Sequence, residues 1–237
     1  MGIGKEFTEL IRDLKYDFID VDFLQTALTH SSYTNEMKTK GFRTESNEAL
    51  EFLGDAVLQI VISEYLYDKY HKRGEGTLTR IRQNIVCEKA LAKVAIGLKL
   101  GLYLNVGTGE EHTNIRSGKK VLADALEAVI AAVYMDDRTN ANGNRYRAVI
   151  INLFEKEIES VVNKGDSDYK TLLQQFVEKN PESVLDYKIE ESGPEHGKTF
   201  HATAYINNNK VGEGDGKTKR AAETQAAMDA LKLFGMI

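Results

Sequence analysis

Cysteine, proline and tryptophan are scarce in this 237-residue chain, which has one Cys, two Pro and no Trp. With Cys87 alone, neither an internal disulfide nor a zinc site built from several thiolates can form. Long apolar runs are also missing, since the longest, Ala128–Met135, is far shorter than the roughly 20 residues that span a bilayer. The first residues, MGIGKEFTEL, lack the apolar core of a signal peptide. We therefore expect a cytoplasmic protein without a membrane segment.

Two kinds of periodicity divide the chain into two predicted domains. Residues 1–162 carry helical spacing with few strand signals, including one helix over Thr77–Gly97 and a polar loop over Asn35–Ser46. The polar, glycine-containing stretch at 163–168 predicts a linker. Residues 169–237 then indicate a helix, three strands with alternating apolar residues, and an Ala-rich helix. The predicted fold class is an all-α N-terminal domain followed by an α+β (α-β-β-β-α) C-terminal domain.

The stretch NEALEFLGDAVLQIV, Asn47–Val61, predicts an apolar helix that nevertheless carries three acids. Glu48, Glu51 and Asp55 stand at positions i, i+3 and i+7, so they share one narrow stripe of the helix. The residues that flank this stripe are Leu, Phe, Ala and Val, the reverse of a surface helix with a broad charged face. For a single helix of this kind, the simpler interpretation is a partly buried helix whose acids point at water.

A second apolar helix, VLADALEAVIAAVY, makes that simple interpretation less attractive. Its charged residues are Asp124 and Glu127, again at i and i+3, and we expect no cation on either helix to offset the acids. If the two stripes face each other, repulsion raises the pKa values of the carboxyl groups. A divalent cation would relieve this repulsion, and carboxylate oxygens favour the hard ions Mg²⁺ or Mn²⁺. A di-iron site needs Glu-x-x-His on facing helices, and neither helix has a histidine. Gly54 would allow the helices to approach closely.

These stretches resemble the motifs of a known family. NEALEFLGDAVL and LADALEAVIAAVY are similar to the two acidic motifs of the ribonuclease III family, and HSSY and GEGTLTRIR stand in that family's order and spacing. The resemblance implies a Mg²⁺-dependent endoribonuclease, with Mn²⁺ as a substitute, that cuts double-stranded RNA to 5′-phosphate and 3′-hydroxyl ends. It also implies a homodimer, with Phe52 as a candidate contact, and a role in maturing ribosomal RNA precursors and trimming messenger RNA.

The resemblance assigns roles to residues by position. It implies metal ligation by Glu51, Asp124 and Glu127. It implies catalytic roles for Asp55, which matches an aspartate that holds a water, and for Glu127. It implies that Glu48 and Glu75 support the site. Ala49 stands where the family usually has Arg or Lys, so a salt bridge at that place is not expected.

The C-terminal helix begins with a cluster of cations. GDGKTKRAAETQAAMDAL places Lys217, Lys219 and Arg220 in the first turn, where the helix dipole normally disfavours positive charge and a bound anion would be welcome. A solvated charge run is the commoner explanation of such clusters. The α-β-β-β-α order, however, resembles the double-stranded RNA-binding domain, which reads A-form shape. By position, the implied RNA contacts are Thr171, Gln174, Gln175, Pro194, His196, Lys217, Lys219 and Arg220.

The overall charge argues weakly against a nucleic-acid partner. The chain carries −5, and residues 166–237 hold 9 Lys and Arg against 12 Asp and Glu, or −3. We therefore expect modest affinity that falls steeply with added salt. Two rival functions stay open at this point: a non-catalytic double-stranded RNA-binding protein, and a Mg²⁺-dependent phosphohydrolase for small molecules. The complete set of acids speaks against the first, and the basic helix end speaks against the second.

Overall fold

The structure, a computed structural model, describes residues 7–139, 143–165, 169–193 and 198–236. The chain divides into two compact units, Met1–Lys69 with Thr79–Ile158, and Tyr70–Leu78 with Glu159–Ile237. The first unit is built from helices, and the second contains a three-stranded antiparallel sheet flanked in sequence by two helices. The predicted fold class is confirmed.

The helices before residue 166 vary widely in length. In chain order they are α1 Thr8–Leu14, α2 Asp22–Ala27, α3 Ser31–Thr39, α4 Glu48–Tyr70, α5 Glu75–Ile85, α6 Glu88–Gly97, α7 Thr108–Glu111, α8 Lys119–Asp137 and α9 Arg145–Gly165. Within the described part of the chain, none of the helices has the length and apolar character needed to cross a membrane.

Helix α8 is the most deeply buried element of the first unit. Twelve of its 19 residues are buried, most of them Ala, Val, Leu or Ile. Helices α2 and α6 pack against it, and its many alanines leave room for close neighbours. Because α8 is surrounded in this way, any carboxylate that it carries is held on a rigid support.

The C-terminal end of α8 is anchored by two buried aspartates. Asp136 accepts hydrogen bonds from the Tyr16 hydroxyl at 2.8 Å and from the backbone N–H of Asp20 at 2.7 Å. Asp137, which is fully buried, accepts the backbone N–H of Tyr146 at 3.1 Å. Buried carboxylates are tolerated when such donors satisfy them. The sequence alone did not suggest this anchor, which fixes α8 to the segments before α2 and at the start of α9.

Helix α3 corrects the prediction of a polar loop over Asn35–Ser46, because the first five residues of that stretch are helical. The His30 side chain caps α3 by accepting the backbone N–H of Ser32 at 3.2 Å. Farther along α3, Glu36 accepts the backbone N–H and the hydroxyl of Thr108 at 2.7 and 2.9 Å. No residue of α3 is buried. The helix therefore lacks the row of buried apolar residues by which a sequence pattern would reveal it.

The single helix predicted over Thr77–Gly97 is also wrong, because the structure has two helices there. Helix α5 ends at Ile85 and α6 begins at Glu88. Between them Cys87 adopts an extended conformation, with φ −79° and ψ 153°, which no helix interior allows. The apolar spacing continues across this break, so periodicity did not reveal it.

Helix α9 extends beyond the boundary that the sequence suggests. Its last three residues are the first three of the predicted linker at 163–168. Residues 166–168, the rest of that stretch, lie outside the described residues. Ile150, Phe154 and Ile158 recur every four residues along α9 and are buried, as an amphipathic helix requires.

The second unit folds as α10 Tyr169–Val177, β1 Leu185–Ser192, β2 Thr199–Ile206, β3 Asn209–Gly216 and α11 Lys219–Leu233. The strands form an antiparallel sheet in the order β1-β2-β3. Asn207 and Asn208 join β2 to β3 with φ of 48° and 66°, which gives the two-residue turn that Asn tolerates. The core lies between the sheet and the two helices, and its centre is Leu173, Ala202, Ala204 and four alanines of α11.

Glycines on β3 set the distance between the sheet and α11. A Cβ atom at Gly212 would overlap the backbone of Ala226 and Ala230, and one at Gly214 would overlap Ala226. Ala222, Ala226 and Ala230 are fully buried at four-residue intervals on the facing side of α11. The GEGDG sequence therefore allows α11 to lie directly on the strand.

Candidate functional site

Three carboxylates from two helices converge in the first unit. Glu51 of α4 and Asp124 and Glu127 of α8 each offer one oxygen atom, and these atoms all lie within 4.8 Å of one another. All three side chains are partly buried. The structure thus brings together the three residues that the sequence predicts as metal ligands, and their oxygen atoms could hold a small cation.

A glycine makes the approach of the two helices possible. Gly54, one turn after Glu51 on α4, is buried, and a Cβ atom there would overlap the backbone carbonyl of Glu127. Any residue larger than Gly would therefore push α4 away from α8. Since the acids lie beside this contact, their spacing depends on it.

The carboxylates of the cluster lie close together and repel one another. Burial, followed by repulsion from Asp55, Glu51 and Asp124, raises the pKa of Glu127 to about 7. Burial and the charge of Asp124 also raise the pKa of Glu51. A carboxylate in this setting gains from a nearby cation, which would favour its ionised form.

One cation does lie in the cluster, contrary to the sequence-based expectation that neither helix supplies one. Lys120, one turn before Asp124 on α8, donates a hydrogen bond to the Asp124 carboxylate at 2.9 Å. That contact raises the pKa of Lys120. The residue lies just outside the apolar stretch that drew attention to α8, although its i to i+4 spacing from Asp124 is the usual signal for such a pair.

The other predicted acids occupy different surroundings. Asp55 is partly buried, and both of its oxygens accept hydrogen bonds from the Gln59 amide, at 2.9 and 3.0 Å. Glu48 is exposed and accepts the Ser46 hydroxyl at 2.9 Å. Glu75 is exposed at the start of α5. Asp55 is therefore held in a fixed orientation, and the supporting roles of Glu48 and Glu75 stay predictions.

The acids line a cleft with a volume of about 520 Å³. Its wall also includes His30 and Ser31 of the HSSY motif and Asn47 at the start of NEALEFLGDAVL, to which the sequence analysis gave no role in the site. Asn47 is buried and donates its backbone N–H to the Thr29 carbonyl at 2.8 Å. This bond fixes the segment before α3 beside the first turn of α4. A spacing rule could not have found these residues, because they reach the cleft through a tertiary contact.

The predicted phosphate-binding cations lie at the start of α11 in the second unit. Lys217, Lys219 and Arg220 are all exposed. Thr218 caps the helix, since its hydroxyl accepts the backbone N–H of Ala221 at 3.1 Å. The cations therefore surround a well-formed helix N-terminus, where an anion is favoured by the dipole.

The remaining predicted RNA contacts are only partly within the described residues. Thr171, Gln174 and Gln175 are exposed on one side of α10, and Gln174 donates to Glu178 at 2.9 Å. Pro194 and His196 lie outside the described residues. The contact of α10 with RNA stays a prediction.

Family models match both units of the chain. One described as ribonuclease-III-like matches residues 20–153, and one described as a double-stranded RNA binding motif matches residues 169–233. The chain belongs to the ribonuclease III family. This confirms the resemblance predicted from the two acidic motifs, and it makes the chain an endoribonuclease of the class that acts on double-stranded RNA.

Curated relatives support the same family over nearly the full chain. The ribonuclease 3 of Borreliella burgdorferi is 40% identical over 229 residues, which cover 96% of this chain and 91% of that protein. The ribonuclease 3 of Caldanaerobacter subterraneus subsp. tengcongensis is 43% identical over 233 residues, which cover 97% of this chain and 99% of that protein. The similarity therefore includes both domains.

A solved structure matches the helical part. The nuclease domain of ribonuclease III from Campylobacter jejuni has a TM-score of 0.56 and 37% sequence identity, and the match covers 63% of this chain and 96% of that chain. That structure concerns flexibility in the region involved in dimer formation of the Campylobacter domain.

Proposed function

We propose that the chain hydrolyses phosphodiester bonds of double-stranded RNA at the cleft between α4 and α8, with Mg²⁺ held by Glu51, Asp124 and Glu127. Mn²⁺ would substitute for Mg²⁺, and the products would carry 5′-phosphate and 3′-hydroxyl ends. The observation that carries this proposal is the convergence of three carboxylates, within 4.8 Å of one another, from two otherwise apolar helices.

The donor set fits a hard divalent cation. All three groups offer oxygen atoms. Mg²⁺ and Mn²⁺ prefer oxygen ligands, whereas Zn²⁺ favours the sulfur of Cys and the nitrogen of His. Burial, followed by the neighbouring acids, raises the pKa of Glu127 to about 7, and a cation bound beside it would favour its ionised form. When bound, Mg²⁺ would activate a water and steady the charge that develops on the phosphate oxygens.

The chain's own groups have separate tasks in this proposal. Asp55, oriented by the two hydrogen bonds from Gln59, would accept a hydrogen bond from the water that attacks the phosphorus. Lys120 offsets part of the charge on Asp124. The rigid support of α8 keeps Lys120 and Asp124 in place without rearrangement, as electrostatic catalysis requires.

A homodimer is the proposed assembly. Ala49, Phe52, Ala56 and Ile60 form an exposed stripe along α4, at positions i, i+3, i+7 and i+11, and the Phe52 side chain is 81% exposed. An apolar stripe of this kind on a helix is typical of a surface that a partner covers. A second copy of the same chain, related by two-fold symmetry, would cover it with its own α4.

RNA would be held by the second unit and by the cleft. We propose that Lys217, Lys219 and Arg220 contact phosphates and that Thr171, Gln174 and Gln175 lie along a minor groove, the manner in which such domains read A-form shape. Ribosomal RNA precursors and structured messenger RNA in the cytoplasm are the proposed substrates.

The test is cleavage of a long RNA duplex, with Mg²⁺ and with chelator, followed by mapping of the product ends. The wild-type chain should cut only with the metal and leave 5′-phosphates, and Glu127→Gln should bind the duplex but not cut it. Asp68→Asn is the matched control, because Asp68 is an exposed acid on α4 that does not line the cleft. Full cleavage by Glu127→Gln would refute the assignment, and binding without cleavage by the wild type would favour a non-catalytic RNA-binding protein.

A further inference from the structure

One carboxylate in the RNA-binding unit is shared by two lysines. Glu191, near the end of β1, has its Oε1 atom 3.2 Å from the Lys219 ammonium and its Oε2 atom 3.2 Å from the Lys198 ammonium. Lys219 is one of the three cations proposed to contact RNA phosphates, and Lys198 immediately precedes β2. Both oxygens of the carboxylate are therefore occupied by positive charge.

Lys219 differs in this respect from its two neighbours. Lys217 and Arg220 form no ion pair with any of the described residues, whereas Lys219 has an acidic partner within its own domain. The three cations are all exposed and lie within four residues of one another, so this difference comes from β1 and not from burial. The chain thus neutralises one of its phosphate-binding groups before RNA arrives.

The arrangement imitates the contact that a phosphate would make. A phosphodiester shares one negative charge between two non-bridging oxygens, and Glu191 presents the two oxygens of its carboxylate to the same lysines beside the N-terminus of α11. The two lysines lower the pKa of Glu191 below its ordinary value, so the group is ionised at neutral pH. Because the side chains involved are substantially exposed, the ion pairs are weak and a phosphate can replace them.

We propose that Glu191 competes with RNA phosphate for Lys219 and Lys198 and so limits the affinity of the domain for double-stranded RNA. This inference rests on the proposed phosphate contact of Lys219. Each binding event has to break the internal ion pairs, which reduces the net gain from the lysines. The opposite role, in which Glu191 holds the lysines ready for RNA, predicts weaker binding when the carboxylate is removed.

The experiment compares Glu191→Gln with Glu190→Gln in the full chain, by binding to a short RNA duplex in the presence of chelator to prevent cleavage. Both variants remove one negative charge from adjacent positions of β1, but Glu190 has no ion pair with the described residues. The two variants therefore change the long-range electrostatic attraction between the domain and RNA by the same amount. We expect Glu191→Gln to lower the Kd by about two- to five-fold, as the strength of exposed ion pairs suggests, and to lower it more than Glu190→Gln does.

Three further measurements make the result specific. The advantage of Glu191→Gln should shrink as salt rises, because salt screens the internal pairs of the wild type. Adding Glu191→Gln to a Lys198→Ala, Lys219→Ala background should give no advantage over Glu190→Gln. Glu191→Asp keeps the charge on a shorter side chain and should fall between wild type and Glu191→Gln. Thermal unfolding of each variant checks that the domain stays folded.

Equal gains from Glu191→Gln and Glu190→Gln, or weaker binding by Glu191→Gln, would overturn the competition. The proposal that the start of α11 binds RNA is tested separately with Lys217→Ala, because Lys217 does not contact Glu191. If Lys217→Ala weakens binding while the two glutamine variants behave alike, the RNA interface stands and the role of Glu191 is wrong. If Lys217→Ala and Lys219→Ala both bind as the wild type does, the interface lies elsewhere.

Discussion

The acid cleft of the first unit and the basic start of α11 in the second unit differ in how far their charges are balanced by nearby groups of opposite sign. The cleft collects Glu51, Asp55, Asp124 and Glu127 around one lysine. At the start of α11, one carboxylate is shared by two lysines, one of them Lys219. The first region holds an excess of one sign, whereas the second is partly balanced within its own domain.

Two glutamates report this difference through their pKa values. The pKa of Glu127 is raised to about 7 by burial and by neighbouring acids, whereas the pKa of Glu191 is lowered by Lys219 and Lys198. The net charge of −5 describes neither region. Local placement, and not the sum, indicates where a cation and where a polyanion would bind.

The largest expected effect is on cleavage and comes from removing one acid of the cleft. Glu51→Gln should lower the rate of duplex cleavage on the order of 10³-fold, a loss comparable with removal of other catalytic groups, because a neutral amide would replace one of the three carboxylates proposed to hold the metal. Duplex affinity should fall far less than the cleavage rate does, since the cations of α11 are intact. Single-turnover cleavage and equilibrium binding, measured on the same preparation, check both statements, and a parallel loss of binding would contradict the separation.

A second prediction concerns the contact that brings the acids together. Gly54→Ala should destabilise the protein by about 3 kcal/mol, the upper range for overpacking, because the new Cβ atom would overlap the Glu127 carbonyl. Gly76→Ala is the control, since a Cβ atom there meets nothing within 4 Å. Denaturant unfolding measures both variants, and equal stability of the two would show that α4 and α8 are not in close contact.

A third prediction concerns the cations at the start of α11. Replacing Lys217, Lys219 and Arg220 together by Ala should weaken duplex binding by roughly 10- to 100-fold. It should also flatten the slope of log Kd against log salt by roughly two to three, since each lost phosphate contact removes about one unit. Titrations at several salt concentrations provide the measurement.

The control for the triple variant removes the same charge elsewhere in the domain. Replacing Lys179, Lys188 and Lys210 by Ala also removes three positive charges from the second unit. It should change the salt slope much less than the first triple variant does. Matching losses from both sets would mean that binding follows the total charge and not the start of α11.

The smallest expected effect concerns stability and pH. The pKa of Glu127 is about 7 in the folded chain against an ordinary 4.5, so the folded metal-free state binds this proton more tightly than the unfolded chain does. The associated stability is complete below about pH 4.5 and is lost as the pH rises through about 7. Glu127→Gln cannot lose a proton there, and should be more stable than the wild type at pH 8 by about 1 kcal/mol, after allowance for solvent screening.

Thermal unfolding with chelator checks the sign of this effect. The expected gain for Glu127→Gln at pH 8 is roughly 2–4 °C, and at pH 4 it should nearly vanish, since the wild-type carboxyl is then largely protonated in both the folded and the unfolded chain. Asp68→Asn, which removes an exposed acid of α4, is measured alongside as the control for loss of a negative charge on that helix. A Glu127→Gln variant that is less stable than the wild type at pH 8 would contradict the repulsion described for the cleft.

The convergence of the acids could be predicted from the sequence because two independent constraints pointed to it. Both helices are unusually apolar, and each carries acids at helical spacing, so their carboxylates were expected to share a partner. Gly54 added a means of close approach. The fold class followed from periodicity in the same way, since helical and strand spacing change at one point along the chain.

Other features could not be predicted because their signals lie in tertiary contacts. Helix α3 has no buried residue and is capped by His30, and it is held by bonds from Glu36 to a distant segment. Asp136 is buried only because Tyr16 and a nearby turn supply donors. Lys120 lies before the apolar stretch VLADALEAVIAAVY, so the charge pattern of that stretch does not include it.

The central claim is that carboxylates from two helices hold a divalent cation, and anomalous diffraction from crystals soaked in Mn²⁺ at pH 8 tests it most directly. At that pH Glu127 would be largely ionised. A single strong anomalous peak bounded by Glu51, Asp124 and Glu127 is the expected result, and it should disappear in Glu127→Gln crystals treated alike. Mn²⁺ bound elsewhere, with no peak among these three residues, would contradict the account.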